Sequence, residues 1–318
     1  MALSLKRKEG LRKGLGRVSE KRLQDILEAT SHKELTAEQV HEVRKSIKSL
    51  RAILRLARGA LSVEERKARN QALRDLAGRF SGPRDAAVLL STFKETYRES
   101  LKTDGRSEIR PGWASQVQKS LTSQADEVIS AETYQDAAEA VRCLKGQMLP
   151  FQNSRGKEKP PEPGSKCDWE ETIREGLRKP YCRGRRLMRR IVGIPEPSDG
   201  EWHELRKRTK DLGYQLALLK KLKGVKSLLA RLEELGKTLG DARDLSLLRG
   251  YLDKVKHERE LPLAQQRSFH GLLTYVDEQL KDLHGCALKV AQRAYRPGKK
   301  RFLRSMEKRW RRWEEAYS

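Results

Sequence analysis

Apolar residues recur along this chain at three- and four-residue intervals, and no stretch holds strand-like alternation for more than four residues. Helices are therefore predicted over 4–29, where Leu11, Leu15, Val18, Leu23, Ile26 and Leu27 lie near helical spacing, and from Thr36, with Gln39 completing a capping box, to about Arg58. Further helices are expected from Ser62 to Phe80, from the Ser81-Gly82-Pro83 turn to about Leu101, and, after Pro111-Gly112, in one or two segments to about Met148. The pattern then fails, because Pro160-Pro161-Glu162-Pro163-Gly164 cannot lie inside a helix. A second helical series follows over 168–192, 198–222, 226–239, 242–257, 262–294 and 298–316, with breaks at Gly193 to Pro197, Gly240, Pro262 and Pro297-Gly298. The expected protein is all-α, with a first bundle in 1–150, a Pro/Gly/Lys-rich linker in 151–167 and a second bundle in 168–318.

The two series share a repeated string. His41-Glu42-Val43-Arg44-Lys45-Ser46-Ile47-Lys48 returns as His203-Glu204-Leu205-Arg206-Lys207-Arg208-Thr209-Lys210, an offset of 203 − 41 = 162. Leu11-Arg12-Lys13-Gly14-Leu15 matches Ile173-Arg174-Glu175-Gly176-Leu177 at the same offset, and Leu73, Leu76, Phe80, Arg84 and Asp85 match Leu232, Leu235, Leu239, Arg243 and Asp244 at 232 − 73 = 159. Three motifs in one order predict homologous antiparallel bundles related by a pseudo-twofold axis. On a helical wheel His41, Arg44, Lys45, Lys48 and Arg55 share one face with Ala52, and Arg51 sits at its edge. Val43, Ile47, Leu50, Leu54 and Ala57 oppose them. In the second copy His203, Arg206, Lys207, Lys210, Tyr214 and Lys221 oppose Leu205, Leu212, Leu216 and Leu219. Each helix thus carries a cationic ridge roughly 20 Å long. Glu42 and Glu204 are expected to point away from it, leaving the like charges uncompensated.

Charge makes this ridge a binding candidate. The formal net charge is +25 and the pI about 10.0, so a polyanion is the expected partner: nucleic acid, an anionic membrane surface or inorganic polyphosphate. With 36% hydrophobic residues and a mean hydropathy of −0.80, the core is expected to be thin and spread between helices. Cys143, Cys167, Cys182 and Cys286 form no Cys-x-x-Cys pair and accompany no histidine cluster, which argues against a disulfide framework or a zinc site. No run of 18 apolar residues predicts a membrane span, and the basic N-terminus lacks the apolar region of a secretory signal. Arg84-Asp85 and Arg243-Asp244 are read as helix starts, with Asp satisfying N-terminal amides and Arg reaching a bound anion. The Trp residues in Lys308-Arg309-Trp310-Arg311-Arg312-Trp313 are expected to pack inward. No carboxylate cluster or activated nucleophile faces the ridge, so no catalytic residue, metal ligand or cofactor is expected.

Two copies of His-x-x-Arg-Lys-x-x-Lys, each followed by an Arg-Asp pair in an all-helical chain, resemble the CHAD family, the conserved histidine α-helical domain. The resemblance covers about residues 5–316 and implies two helical bundles whose motif helices line a central basic groove. It also implies binding of inorganic polyphosphate and residence at polyphosphate granules in the cytoplasm. Carried over by position, the ligand contacts are His41, Arg44, Lys45, Lys48, Arg51, Arg55, His203, Arg206, Lys207 and Lys210. A second rank comprises Arg12, Arg17, Lys21, Arg84, Arg174, Lys179, Arg183, Tyr214 and Arg243. Gly213 stands where the first copy has Arg51, so the second ridge is shorter. Many relatives add a triphosphate-tunnel domain with Glu-x-Glu-x-Lys strands; this chain shows none and reads as a stand-alone binding module rather than an enzyme. The alternative is a non-specific nucleic-acid-binding scaffold active at low salt, against which stands the lack of stacking aromatics on the ridges apart from Tyr214.

Overall fold

A computed structural model of the protein describes residues 4–6, 9, 11–31, 35–58, 61–80, 82–103, 112–126, 131–145, 148, 173–258 and 262–316. The linker expected over 151–167 lies outside them. Among the described residues the chain is helical, without strands: α1 (Leu11–Thr30), α2 (Ala37–Leu56), α3 (Val63–Gly78), α4 (Gly82–Thr103), α5 (Gly112–Ala125), α6 (Ala131–Leu144), α7 (Glu175–Val192), α8 (Asp199–Leu218), α9 (Val225–Glu258), α10 (Leu263–Ala294) and α11 (Lys299–Glu315).

Local chemistry sets several boundaries as the sequence predicts. The Thr36 hydroxyl accepts from the Gln39 amide at 3.2 Å while the Gln39 side chain accepts from the Thr36 amide at 2.8 Å, and Ser62 and Glu65 repeat this at the start of α3. Two boundaries differ. The first helix starts at Leu11 rather than at residue 4: Leu5 is buried, its amide donates to the Leu218 carbonyl at 3.0 Å, and its side chain occupies the space a methyl group on Gly14 would need. A turn of π-helix at Ile173–Arg174 leads into α7, which begins at Glu175; the start expected at about 168 lies outside the described residues. The break expected at Gly240 is absent, and α9 runs unbroken through it.

The continuity of α9 follows from burial. Leu232, Leu235 and Leu239 enter one apolar cluster; Leu248, Leu252 and Val255 enter another. Each fully buried aliphatic side chain contributes roughly 1.5–3 kcal/mol, against about 0.5–1 kcal/mol lost at a helical glycine. The larger cluster draws on α1–α3, α6 and α7–α11 together. The smaller joins α4 and α5 to α9 and α10 around Trp113, whose ring lies 4.9 Å from Phe269 and 5.7 Å from Tyr97 and whose indole donates to Ser268 at 3.0 Å. Both clusters therefore contain residues from either side of 151–167. At the C-terminus Trp310 is buried and lies 5.1 Å from Trp313, as the alternation of charge and aromatics predicts.

Candidate functional site

The apolar stripe of α2 orients its cations. Val43, Ile47, Leu50, Leu54 and Ala57 are all buried, leaving His41, Lys45 and Lys48 exposed and Arg44 half-buried. Arg44 donates from Nη1 to the Phe80 carbonyl at 2.6 Å and lies 3.7 Å from the Asp85 carboxylate, so it is fixed to the junction of α3 and α4. Lys45 pairs with Glu42 at 2.9 Å, and Lys207 pairs with Glu204, which also accepts from Arg208 at 3.2 Å. The glutamates thus compensate the ridge instead of pointing away from it. Residues i and i+3 are only about 60° apart round a helix, within reach of long side chains.

The lower part of α2 departs from the open ridge. Ala52, Ser46 and Ser49 are buried, and α2 packs on α1, α3 and α8. Arg51 donates to Asn70 at 3.2 Å, and Arg55 pairs with Asp211 of α8, which also accepts from Arg208 at 3.2 Å. Burial, then the neighbouring Arg55, depresses the Arg51 guanidinium to about 10. Burial also lowers Arg55 and raises Asp211, each opposed by the attraction between them. Arg51 is therefore engaged by α3 and Arg55 by α8, although helical geometry keeps Arg55 on the face of α2 that carries His41, Lys45 and Lys48.

The second ridge is more enclosed. His203 is half-buried, and its Nδ1 is buried with no hydrogen-bond partner. Burial, then Lys207 and Arg243, lowers its pKa below the ordinary histidine value. It lies in a small recess with Asp199, Arg243, Ser246 and the stacked rings of Trp202 and His284, which are 4.2 Å apart and 4° from parallel. The Nε of Arg206 is likewise buried without a partner, and its guanidinium lies 3.7 Å from where a Cβ on Gly240 would be. Lys210 packs on Gly236 and is depressed by burial and by Arg206. Gly236 of α9 thus makes room for Lys210 of α8, whereas at Gly240 a Cβ would meet Arg206 at ordinary contact distance. Lys207 stays exposed. The largely buried Tyr214 of α8 has its hydroxyl pKa raised by burial and lies in the fields of Arg206 of its own helix, of Arg22 on α1 and of Glu42 on α2.

The second-rank residues scatter. Arg17 is held by Glu9 at 2.6 Å and by the Ser4 carbonyl at 3.1 Å, and Lys21 pairs with Asp25 at 2.9 Å. Arg12 is half-buried in α1, and Arg174 is exposed in the π-turn. The Arg84 side chain lies outside the described residues; Asp85 does occupy the first turn of α4. Arg243 and Asp244 lie in the middle of α9, so Asp244 caps no helix. Lys179 and Arg183 join Arg55 in a recess completed by Arg58, Arg66 and Arg208, three cations that the repeat does not single out. Arg208 replaces Ser46 of the first copy and Asp211 replaces Ser49, sequence signals of this asymmetry. Among the described residues no group of three or more His, Cys, Asp or Glu is placed to hold a metal ion, and no helix is long and apolar enough to cross a membrane.

The fold resembles the crystal structure of the CHAD domain from the plant Ricinus communis, with a TM-score of 0.60 and 16% identity over 94% of this chain and 96% of that one. It also resembles PptA from Streptomyces chartreusis, with a TM-score of 0.54 and 14% identity over 89% of this chain and 98% of that one. No curated protein matches the chain. Residues 18–253, from within α1 to within α9 and including both histidine motifs, match the CHAD domain, and the chain belongs to the CHAD family.

Proposed function

We propose that the protein binds inorganic polyphosphate along its two motif helices and is not an enzyme. The carrying observation is on α8, where His203 Nδ1 and Arg206 Nε are buried without partners on a cationic face. A buried polar group left unpaired costs about 1–3 kcal/mol, which an anionic ligand accepting from it recovers. Arg44, fixed by a carbonyl and a carboxylate, offers a rigid guanidinium fork; Lys45, Lys48 and Lys207 offer mobile point charges. A polyphosphate chain lying against these residues displaces counterions and competes with Glu42 and Glu204 for their lysines. Family membership and the duplicated motif support this reading, and residence at cytoplasmic polyphosphate granules is part of the proposal. Among the described residues, Trp202 is stacked on His284 and Tyr214 is largely buried, so neither offers an open platform for base stacking.

The test is direct binding of long-chain polyphosphate, DNA, RNA and heparin at physiological salt. Polyphosphate is expected to bind tightest, with His203→Gln or Arg206→Gln weakening it by about tenfold. Nucleic acid bound as tightly as polyphosphate would refute the specificity. Phosphate release from polyphosphate with magnesium, lost in His41→Ala, would refute the assignment as a binder.

A further inference from the structure

The recess beside His203 holds a second histidine, on another helix. His284 of α10 lies face to face with the buried Trp202 indole of α8, ring centroids 4.2 Å apart and planes 4° from parallel. Asp199, Arg243 and Ser246 close the recess around the pair, and the Asp199 carboxylate accepts from the Ser246 hydroxyl. Its free volume of about 10 Å³ is at the limit for one water, so its own side chains fill it. The charged and titratable groups that face His284 are Asp199 and His203 from α8 and Arg243 from α9; on α10 itself the exposed Lys281 stands one turn away. Helices α4, α5 and α7 also pack on α10, but among the described residues none of them lines the recess. Burial holds the His284 imidazole below the ordinary histidine range, and Asp199 pulls it back up.

The internal repeat marks this cluster as peculiar to the second copy. At the offsets of 162 and 159, Asp199, Trp202 and Ser246 correspond to Ala37, Val40 and Ala87. In the first copy His41 is exposed, whereas His203 is half-buried with its Nδ1 unpartnered. His284 lies beyond residue 253, where the family match ends. An imidazole lying on an indole face is already placed for its charged form. The ring quadrupole attracts a cation held over it, and the Asp199 carboxylate in the same recess supplies the counter-charge. Opposing that charge are burial and the positive field of Arg243.

We propose that His284 regulates the second motif ridge as a proton acceptor, neutral on Trp202 while the ridge is empty at neutral pH and protonated when a polyanion docks beside it at His203 and Arg206. The inference rests on the polyanion reading of the ridges. The step is the uptake of one proton from solvent by the bare nitrogen of the imidazole. A bound anion offsets the field of Arg243 and His203, which removes the electrostatic opposition to the imidazolium. By reciprocity, a proton on His284 tightens the anion by the same factor. His203 is then one of two groups that titrate with binding. Trp202 makes the other visible, because an imidazolium in face contact quenches indole emission by accepting an electron from the excited ring.

The test follows Trp202 emission, taken as the difference between the full chain and its Trp202→Phe variant, from about pH 8 to about pH 5 with and without long-chain polyphosphate. Without polyphosphate the emission is expected to fall with a midpoint below about 6.5. With it the midpoint should rise by about half a unit, equivalent to about threefold tighter binding at the acid end. His284→Gln should abolish the transition, leave polyphosphate affinity at the alkaline end unchanged and remove the threefold gain; His203→Gln should keep the transition. Asp199→Asn removes the counter-charge and should lower the midpoint, a shift that a merely structural role does not produce. Flat emission, a transition that survives His284→Gln, or an affinity loss in that variant equal at both ends of the range overturns the proposal. Should His284→Gln fail to fold, the Asp199→Asn midpoint decides: unmoved or raised, it overturns the proposal as well. Polyphosphate bound with an unmoved midpoint sinks the coupling and leaves the ridge reading standing. No polyphosphate binding by the unaltered chain sinks the ridge reading and the coupling with it.

Discussion

Arg44 and Arg206 occupy the same motif position and do different work. Arg44 satisfies the Phe80 carbonyl, whereas the Arg206 Nε is buried with no partner. Arg44→Ala is expected to lower stability by about 1–3 kcal/mol as well as weaken polyanion binding, and Arg206→Ala to weaken binding with little effect on stability. Urea unfolding alongside polyphosphate titration separates the two. His203 supplies a pH signature. Its pKa is lowered, so the unfolded chain binds more protons than the folded one as pH falls toward about 6.5, and folding stability declines there. A bound polyanion favours the imidazolium, so binding is expected to take up a proton and tighten as pH falls below neutrality. Calorimetry in buffers of different ionisation enthalpy measures that uptake; it should diminish in His203→Gln.

At the scale of the element, Gly240 and Gly184 make opposite predictions. A Cβ on Gly240 would meet Arg206 at an ordinary 3.7 Å, so Gly240→Ala is expected to stabilise the protein by about 0.5–1 kcal/mol in denaturant titration. A break at Gly240 would have made the same change neutral or harmful. A Cβ on Gly184 would collide with the Tyr295 ring, so Gly184→Ala should cost about 1–3 kcal/mol. These cases mark what the sequence makes legible. Caps at Thr36 and Ser62 are read correctly because both partners lie within three residues. The apolar stripes of α2 and α8 are read correctly because helical period alone determines them. The continuity of α9 and the packing of Leu5 on Gly14 depend on residues far along the chain. A wheel likewise shows that Arg55 lies near Lys48 in projection, but not that α8 presents Asp211 to it.

At the scale of the molecule, a net charge of +25 makes every polyanion a ligand at low salt, so specificity must be measured against ionic strength. If six or more phosphates are contacted, polyphosphate affinity is expected to fall by roughly 10³ or more between 50 and 200 mM salt. A salt series by fluorescence anisotropy gives the slope, which should flatten by about one when Lys45 or Lys207 is neutralised.

Because the apolar clusters mix residues from both sides of 151–167, a cut there should not yield two self-sufficient proteins. Fragments 1–150 and 168–318 made separately would each expose the surface the other covers, with Trp113 stranded from Phe269 and Asp211 from Arg55. Produced together, they are expected to reassemble into one helical particle with a single melting transition. The intervening peptide would then serve as a tether that raises the local concentration of one fragment at the other, and lengthening it should slow assembly more than it alters the finished structure.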